Sequence, residues 1–518
     1  MQLWKFNGGV HVDGHKRISS EQAIVQAKIP KLLILPLLQH LGIPTEPIVS
    51  IGERVLAGQI IARCRGENQD SLMSAPIHAS TSGTVLAIEA REVPHPSGLT
   101  AMCIIIETDG KDEWIARQPL EHYQQLDPNL VRRHIAQAGV VGLGGAGFPT
   151  HIKLKPQGIN TLIINGAECE PYITCDDRLM QERPLDVITG AEIMRHVLGG
   201  AKRGIIAVED NKPEAYEALQ EALEHTAIQG WELIKIPTLY PSGGARQLIR
   251  ILLGIEIGRS QQSSEFGIVM HNIETARAVY RAVQRGRPLV SRVVTITGDG
   301  VERPQNLEVL LGTPMYELLE ACGRKADLER VVMGGGMMGF ALSSDEMPVI
   351  KTTNCLIAHR AASIEPPTPA LPCIRCGACE QSCPLNLLPQ QLYWYARAKD
   401  FKKVQEYNIF DCIECGCCAY VCPSNLPLVD YYRYAKAEVR EINQENKKAE
   451  QAKRRYEFHQ LRAEREKQAR EARHQQVPVA EVSSEVAPEA VAEMDESARK
   501  KALIQAMLTK AKAKQSKD

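Results

Sequence analysis

The sequence has no apolar stretch long enough to cross a bilayer. Its most apolar segments, Leu32–Ile43 and Val331–Leu342, are short and are interrupted by proline, histidine or glycine, so we expect any membrane association to be peripheral. The opening residues Met1–Lys16 lack the apolar segment of a secretory signal, which predicts a reducing compartment and unpaired cysteines. A formal net charge of -1 over 518 residues gives no bulk electrostatic reason to expect nucleic acid or an anionic membrane as the main partner.

Lysine is missing between Lys31 and Lys111. This region contains short strand-like runs with turn signals, including Val49–Ala62 and Ala75–Ile88, and resembles the barrel-sandwich hybrid of biotinyl and lipoyl carriers. Those carriers need a lysine at a hairpin tip. A swinging arm is therefore excluded, and we predict a docking or structural module.

The middle of the chain is predicted to be an α/β region. Asp127 and Pro128 have the order of a helix cap and first turn. Apolar runs at Thr161–Asn165, Gly204–Val208 and Trp231–Ile236 are separated by helical patterns such as Pro213–His225. Uninterrupted apolar strands indicate a sheet that helices cover on both faces.

The chain becomes strongly charged beyond Asp430. Opposite charges three or four residues apart predict one long solvated helix over Ala435–Arg473. Val477–Glu496 contains two prolines and only acidic charges, and is predicted to be a disordered linker. A last helix over Ser497–Lys514 groups Leu503, Ile504, Met507, Leu508 and Ala511 on one side; it is either a frayed tail or a partner-binding helix.

Eight of the fifteen cysteines form two copies of one pattern. In each copy three cysteines are spaced by two residues, and a fourth follows after three more residues and precedes a proline. The pattern matches the bacterial two-cluster ferredoxin signature, in which three thiolates bind one 4Fe-4S cluster and the fourth binds the other cluster. The implied ligand sets are Cys373, Cys376, Cys379 with Cys422, and Cys412, Cys415, Cys418 with Cys383.

Two zinc sites are the alternative interpretation, because Cys-x2-Cys pairs are common zinc ligands. Zinc sites use two such pairs per metal, whereas here a run of three cysteines and a distant fourth repeats as a unit, which favours clusters. The seven remaining cysteines are predicted to be structural, with Cys169 the least certain because Glu168 and Glu170 flank it. The glycines within Met333–Met338 predict a tight packing turn.

A glycine loop precedes the predicted sheet. Gly142, Gly144 and Gly147 match G-x-G-x-x-G after an apolar pair, and such glycines let backbone amides approach a phosphate at a helix start. Phe148 and Pro149 stand where a nucleotide-hydrolysing P-loop would need Lys and Ser or Thr. Taken alone, the loop is better explained as a tight structural turn between a strand and a helix.

Three further segments add a resemblance. The loop G-x-G-G-A-G-F-P-T-x-x-K, the segment I-I-N-G-A-E-C-E-P (Ile163–Pro171) and N-I-E-T (Asn272–Thr275) resemble, in order, segments of the NADH-oxidising subunit of respiratory complex I. Thr297–Pro314 is similar to the β-grasp SLBB module that follows its flavin domain. The resemblance implies an FMN site and contacts to NAD(H), formed by Gly142, Gly144, Gly145, Gly147, Lys153, Asn165, Glu168, Glu170 and Asn272.

The sequence also departs from complex I. Y-P-S-G-G-A-R-Q-L (Tyr240–Leu248) replaces the A-Y-x-C-G-E-E-T loop of that family, and Ala167 stands where that family has an aspartate. This makes NADH binding less well supported than FMN binding.

The order of modules over residues 1–435 resembles the C subunits of the Rnf electron transport complex, also called Rsx, whose Y-P-x-G-G-x-x-Q-L segment is close to Tyr240–Leu248. The resemblance implies a peripheral subunit on the cytoplasmic face of the bacterial inner membrane. It would exchange electrons with NAD(H) through FMN and with ferredoxin or membrane subunits through two 4Fe-4S clusters, while the complex, an ion-translocating oxidoreductase, moves ions. A flavin is needed between NADH, a two-electron donor, and clusters that accept one electron.

Two other functions remain open. A soluble flavin and iron-sulfur reductase, such as a cobalamin reductase, shares the same modules, and the charged tail argues against it. A scaffold without redox activity is disfavoured because all eight cysteines and the glycine loop are intact.

The predicted fold class is multidomain α/β and α+β. The predicted domains are a barrel-sandwich-hybrid-like region (1–125), a Rossmann-like FMN/NADH-binding domain (126–290), an SLBB β-grasp module with connector (291–364), a double 4Fe-4S ferredoxin domain (365–434) and a charged helical and disordered tail (435–518).

Overall fold

The computed structural model describes residues 2–64, 73–96, 98–155, 158–258, 261–366 and 368–475, with residues 501, 504, 505 and 507. The chain divides into two compact units between Val439 and Arg440. None of the helices in these ranges combines the length and apolar composition needed to cross a membrane. The predicted linker Val477–Glu496 lies outside the described residues, as does most of the predicted helix Ser497–Lys514, including Leu503, Leu508 and Ala511.

The N-terminal module consists of two small antiparallel sheets, ordered β2-β8-β7-β4 and β3-β5-β6. Alternate residues point inward, so Leu33, Leu35, Val85, Ile104 and Ile106 are buried. The first strand, β1, instead joins a sheet of the third module. The elements are α1 Arg17–Ser20, β1 Val25–Gln26, β2 Leu32–Pro36, β3 Glu46–Pro47, β4 Arg54–Val55, β5 Ile60–Arg63, β6 Ile77–His78, β7 Gly83–Glu92 and β8 Thr100–Thr108.

The second module is a parallel four-stranded sheet, ordered β11-β10-β9-β12, with helices on both faces. Along β9, Leu162 and Ile164 pack in one core cluster while Ile163 packs in another with Leu248. This two-sided burial explains why the strands are uninterrupted apolar runs. The elements are α2 Pro128–Gln137, α3 Thr150–Lys153, β9 Thr161–Gly166, α4 Cys175–Glu182, α5 Pro184–Val197, β10 Arg203–Glu209, α6 Pro213–Glu224, β11 Trp231–Ile236, α7 Ala245–Leu253, β12 Ile268–Asn272 and α8 Ile273–Arg285.

The third module is a mixed sheet, ordered β1-β14-β13-β17-β15-β16, that packs with a short helix. Met315, Leu318 and Leu319 of that helix are buried in the common core. The elements are β13 Ser291–Thr297, β14 Gln305–Leu310, α9 Met315–Ala321, β15 Leu328–Met333, β16 Phe340–Ala341 and β17 Cys355–Arg360.

The cysteine-rich module is helical and contains an internal repeat. Gly377 and Gly416 have φ near +80°, and each begins a four-residue helix inside its cysteine run. Arg375 and Glu414 also have positive φ, and each donates its N–H to the Sγ of the cysteine two residues earlier at 3.4 Å. The elements are α10 Ala378–Gln381, α11 Pro389–Arg397, α12 Phe401–Glu406, α13 Cys417–Tyr420 and α14 Leu428–Gln475.

Helix α14 begins earlier than the predicted helix at Ala435. Leu428, Tyr432, Ala435 and Val439 are buried at helical spacing, so the first three turns belong to the core of the cysteine-rich module. The prediction relied on charge pattern, which begins only where the helix leaves this core. From residue 440 to residue 472 every side chain is exposed, as predicted for a solvated helix.

Candidate functional site

Residues that the sequence analysis assigned to FMN lie where the strand order of the parallel sheet reverses. Strands β10 and β11 lie on one side of β9, and β12 lies on the other side, so the switch point is between β9 and β12. Asn165 and Asn272 are register partners at the carboxyl ends of these two strands. Ligands of open α/β sheets bind in the crevice at such a position.

The glycine loop packs over this crevice. A Cβ on Gly144 would lie 3.1 Å from the Cβ of Asn272, and Gly145 and Gly147 have positive φ. The loop is closed by the N–H of Gly142, which donates to Phe148 O at 2.8 Å. At its exposed tip, the N–H groups of Gly144, Gly145 and Ala146 make no hydrogen bond to any described residue. These free donors, on a loop tip that the absence of a side chain at Gly144 lets approach Asn272, fit a phosphate group.

The setting of the loop differs from the predicted strand-to-helix turn. It lies between α2 and α3, and Val141 forms only an isolated bridge with Pro149. Helix α3 has four residues, too short to provide the helix dipole that the motif suggested. The feature of this loop that suits an anion is therefore its set of backbone amides, not a helix end.

The N-I-E-T segment (Asn272–Thr275) anchors the glycine loop through hydrogen bonds. Asn272 caps α8 by accepting from the N–H of Glu274 at 2.9 Å, and Thr275 Oγ1 accepts from the N–H of Leu143 at 2.9 Å. The buried Glu274 pairs with Arg292 at 2.9 Å, and Arg292 also donates to Leu143 O at 3.2 Å. Thr275 directly, and Glu274 through Arg292, thus fix the position of Leu143.

Lys153 and Asn165 each contact a segment that borders the crevice. Lys153 Nζ donates to Met270 O of β12 at 2.6 Å, and burial lowers the pKa of this amine to about 8. Asn165 Nδ2 donates to Gly243 O at 2.9 Å, which joins β9 to the segment Tyr240–Leu248. The segment that departs from complex I therefore contacts the crevice directly.

The two predicted glutamates have different environments. Glu168 is buried at the start of α4, where its carboxylate accepts from the N–H groups of Asp176 at 2.8 Å and Asp177 at 3.4 Å. Glu170 is directed to the Met333–Met338 turn, and its Oε1 accepts from the N–H groups of Met337 and Met338, both at 2.8 Å. Burial raises the pKa of Glu168 to about 8 and also raises the pKa of Glu170. The glycine turn is thus a packing turn, as predicted, and it encloses a carboxylate.

Sequence reasoning missed a set of charged residues beside the crevice. Asp176 Oδ2 accepts from Asn272 Nδ2 at 2.6 Å, and burial, followed by the charge of Glu274, raises the pKa of Asp176 to about 7. Lys212 forms a buried ion pair with Glu209. No spacing motif marks these residues; the only signal was a charge next to an apolar run.

The predicted ligands of the second cysteine run surround one cavity. Cys412, Cys415, Cys418 and Cys383 all line it, and it measures about 380 Å³ including the part open to solvent. This convergence of three cysteines of one run with the fourth of the other agrees with the exchange that the signature implies. No three His, Cys, Asp or Glu side chains in the described part of the chain converge closely enough to hold a single metal ion.

The predicted ligands of the first run lie nearer the surface. Cys373, Cys379 and Cys422 are partly buried against the core of the module, whereas Cys376 is exposed. The assignment of individual cysteines to each cluster stays a prediction.

The second cysteine run is packed against the flavin-type module. Tyr240 OH donates to Cys415 O at 2.8 Å. Val10, Tyr240, Cys415 and Cys417 form one buried cluster against which Cys169 packs. Cys169 Sγ also accepts from Gly243 N–H at 3.3 Å, and burial raises the pKa of this thiol to about 12. Cys169 is therefore a neutral, structural thiol at the junction of the two modules.

Comparison with known proteins identifies domains in four parts of the chain. Four protein-family models match: the RnfC barrel sandwich hybrid domain over residues 4–111, the Nuo51 FMN-binding domain over 135–281, the SLBB domain over 293–341 and the 4Fe-4S dicluster domain over 372–426. A relative from Yersinia pestis, named as the C subunit of an ion-translocating oxidoreductase complex, is 47% identical over 92% of this chain and 76% of its own length. The chain belongs to this family of C subunits.

Members from other organisms are equally similar. Proteins of the same name from Edwardsiella ictaluri and Pectobacterium carotovorum are 47% and 48% identical over 93% and 92% of this chain. The chain spans 60% and 63% of the length of these two relatives. A solved structure of an NAD+-reducing NiFe-hydrogenase matches 57% of this chain and 60% of its own chain with a TM-score of 0.41 and 17% identity, too weak a likeness to carry an argument.

Family membership confirms the predicted fold class and cofactors at the level of domains. The chain has an FMN-binding domain of the Nuo51 type and a 4Fe-4S dicluster domain, and NAD(H) fits a domain of the first type. The dicluster match supports clusters over the alternative of zinc sites.

Proposed function

We propose that this chain transfers electrons between NAD(H) and the other subunits of an ion-translocating membrane complex, or ferredoxin, through FMN and two 4Fe-4S clusters. The observation that carries the proposal is the buried contact between Tyr240 and Cys415, which joins the crevice-lining segment to a predicted ligand of the second cysteine run. The names and high identity of the relatives support the same function.

The proposed site residues have separate roles. FMN would supply the step between two-electron and one-electron chemistry. The free N–H groups of the glycine loop would hold its phosphate, while Asn165 and Asn272 line the strand ends where the ring system would lie. The exposed loop tip would leave the crevice accessible to a second nucleotide. The N–H groups that Arg375 and Glu414 direct at sulfur would tune the cluster potentials.

The positions of the two cysteine sites suggest the order in which electrons would pass through them. The second-run site is buried beside Tyr240, and the first-run site includes the exposed Cys376. Around the first-run site, Leu371, Ile374 and Tyr420 are 56%, 68% and 58% exposed. Apolar side chains in such exposed positions suit the docking of a partner protein. We therefore place the electron partner at the first-run site and NAD(H) at the opposite end.

The test is electron paramagnetic resonance of the anaerobically purified chain loaded with FMN. Cluster signals that appear when NADH is added would establish the relay within one chain. Signals that appear with dithionite but not with NADH would contradict NADH entry at this site. A Cys64→Ser variant, which changes a cysteine outside both runs, should behave as wild type, whereas Cys415→Ser should lose the signal of one cluster.

We also propose that the chain sits on the cytoplasmic face of the inner membrane through its partners, and that the charged tail contributes to this docking. Truncation after Arg440 should leave iron content unchanged because every predicted cluster ligand lies before that residue. Recovery with the membrane fraction should fall. Unchanged recovery of the truncated chain would contradict a docking role for the tail.

The five-part domain division given above also stays a prediction.

A further inference from the structure

A second large cavity lies away from the flavin-type crevice. It has a volume of about 580 Å³, within the range typical of small-molecule sites, and is bounded by the C-terminal half of α8, β14, residues 112–117 and the connection between α4 and α5. Helix α8 has 13 residues and begins at the crevice, so its last turn lies roughly 18 Å from it at 1.5 Å per residue. The arginines that line the cavity are Arg117, Arg183, Arg277, Arg281, Arg285 and Arg287.

The cavity has an uncompensated positive charge. Its acidic residues are Asp112, Asp186 and Glu308, so six arginines face three carboxylates, an excess of three positive charges. Glu308 already pairs with Arg277 at 2.9 Å and with Arg281 at 2.5 Å. Although burial opposes it, these two arginines lower the pKa of Glu308 to about 2, so this carboxylate is ionised and fully engaged.

The other four arginines are not in close contact with a carboxylate of the described chain, although the charges of Arg183 and Arg285 act on Asp186. Among the described residues, no ion pair within 4 Å joins Arg117, Arg183, Arg285 or Arg287 to an acidic group. Arg117 and Arg287 instead stand 4.7 and 4.5 Å from the centre of the Trp114 ring. Burial, and then the charges of Arg281 and Arg117, lower the pKa of Arg287, so the like charges are held together at a cost.

Two buried donors in the wall of the cavity are unsatisfied. Arg277 is only 6% exposed, and its Nε forms no hydrogen bond, although Asp186 Oδ2 lies 3.8 Å away. The Nε of Arg287 is likewise buried without a partner. Buried polar groups are normally hydrogen-bonded, so two buried guanidinium donors without a hydrogen bond favour an additional acceptor in the cavity.

We propose that this cavity binds a small soluble molecule that carries two or more phosphate groups. Guanidinium forks match phosphate oxygens with paired hydrogen bonds, and a pyrophosphate group would neutralise the excess of three charges. The site does not depend on the function proposed for the crevice, because none of the residues assigned to FMN lines it.

The test is calorimetric titration of inorganic pyrophosphate into the full-length protein with its cofactors bound. Pyrophosphate should bind with one site per chain, more tightly than inorganic phosphate, and more weakly at higher salt. The variants Arg117→Gln and Arg287→Gln should each weaken binding by about tenfold or more. Neither residue has an ion pair within the described chain, so both variants are expected to fold.

The matched control is Arg63→Gln, which removes one exposed arginine from the N-terminal module. Equal loss of affinity in this control would show that only net charge matters and would overturn the proposal. Absence of pyrophosphate binding would also overturn it. Binding to phosphatidylglycerol vesicles without binding to free pyrophosphate would assign the phosphate to a lipid headgroup and would overturn the claim of a soluble ligand.

Discussion

Gly147 shows how little space the glycine loop has. Its φ is +61°, and a Cβ there would lie 2.9 Å from Thr352 Cγ2 and 3.3 Å from the main chain of His40. The residue therefore ties the loop to the N-terminal and third modules. Gly145, at the tip of the loop, has open space around it, as a ligand-facing position requires.

We predict that Gly147→Ala weakens FMN binding by about tenfold, because overpacking costs about 1–3 kcal/mol and would displace the loop. FMN affinity is measured by flavin fluorescence titration. Gly158→Ala is the matched control: its φ is +74° with no atom within 4 Å, so it has the same backbone strain without the clash. Equal loss of FMN in both variants would show that strain, not space, is the cause.

Lys351 is a buried amine behind the same loop. Its Nζ donates to Pro76 O at 3.0 Å and to Gly139 O at 2.8 Å, and burial lowers its pKa to about 7. The nearby His40 and His78 are kept neutral, since burial and then Lys351 lower their pKa values to about 4 and about 3. A charge on this amine would have no counter-ion among these groups.

The pH dependence follows from this lowered pKa. Between pH 7 and pH 10 the unfolded chain keeps a proton on this lysine that the folded chain has released, so stability rises with pH by roughly 1.4 kcal/mol per unit. We expect Lys351→Met to lose this part of the rise in unfolding midpoint between pH 7 and pH 9. Lys31→Met, at an exposed lysine, should keep it. A wild-type slope in Lys351→Met would contradict the burial of a neutral amine.

At the scale of elements, the start of α8 combines capping with site chemistry. Asn272 Oδ1 caps the helix, and its Nδ2 donates to Asp176. Removing the side chain would therefore lose a cap, worth about 1 kcal/mol, and would also leave a carboxylate without its donor. The same residue lies at the strand end beside Asn165.

We predict that Asn272→Ala destabilises the protein by about 2–4 kcal/mol and lowers FMN content. Asp127→Ala removes the cap of α2, where Asp127 accepts from Asn129 N–H at 2.7 Å, and should cost only about 1 kcal/mol with FMN retained. Thermal unfolding and flavin absorbance measure the two effects. Equal destabilisation of the two variants, with FMN retained in both, would show that Asn272 acts only as a helix cap.

At the scale of the whole molecule, the modules meet through single residues from distant parts of the chain. Asn306 of the third module donates to Ser19 O near the N-terminus at 2.9 Å and to Thr174 Oγ1 at 2.9 Å. Tyr240 of the second module donates to Cys415 O of the cysteine-rich module at 2.8 Å. These contacts set where each predicted site lies relative to the next.

Tyr240→Phe tests the junction between flavin-type and cysteine-rich modules. The substitution keeps the ring and removes the hydrogen bond to Cys415 O, so we expect a loss of about 1 kcal/mol in docking and slower reduction of the clusters by NADH, with cluster content unchanged. Stopped-flow absorbance measures the rate. Tyr316→Phe removes a surface hydrogen bond to Glu317 and should have no effect. An unchanged rate in Tyr240→Phe would exclude this contact from the relay.

The sequence by itself determined the features that depend on neighbours in the chain. Cysteine spacing gave the dicluster domain, apolar runs such as Thr161–Asn165 gave the parallel strands, and the cap at Asp127 gave a helix start. These signals are local because ligand reach, side-chain alternation and capping act over a few residues.

Only the tertiary structure decided what distant residues do together. It placed Glu170 inside the Met333–Met338 turn, extended α14 back to Leu428 and grouped the arginines of the second cavity. No sequence periodicity predicts such long-range contacts, because each contact depends on how whole helices and strands pack against one another. Burial also lowers the pKa of Lys351 and raises the pKa of Asp176. The sequence alone does not predict these shifts, because they depend on how deeply each side chain is buried.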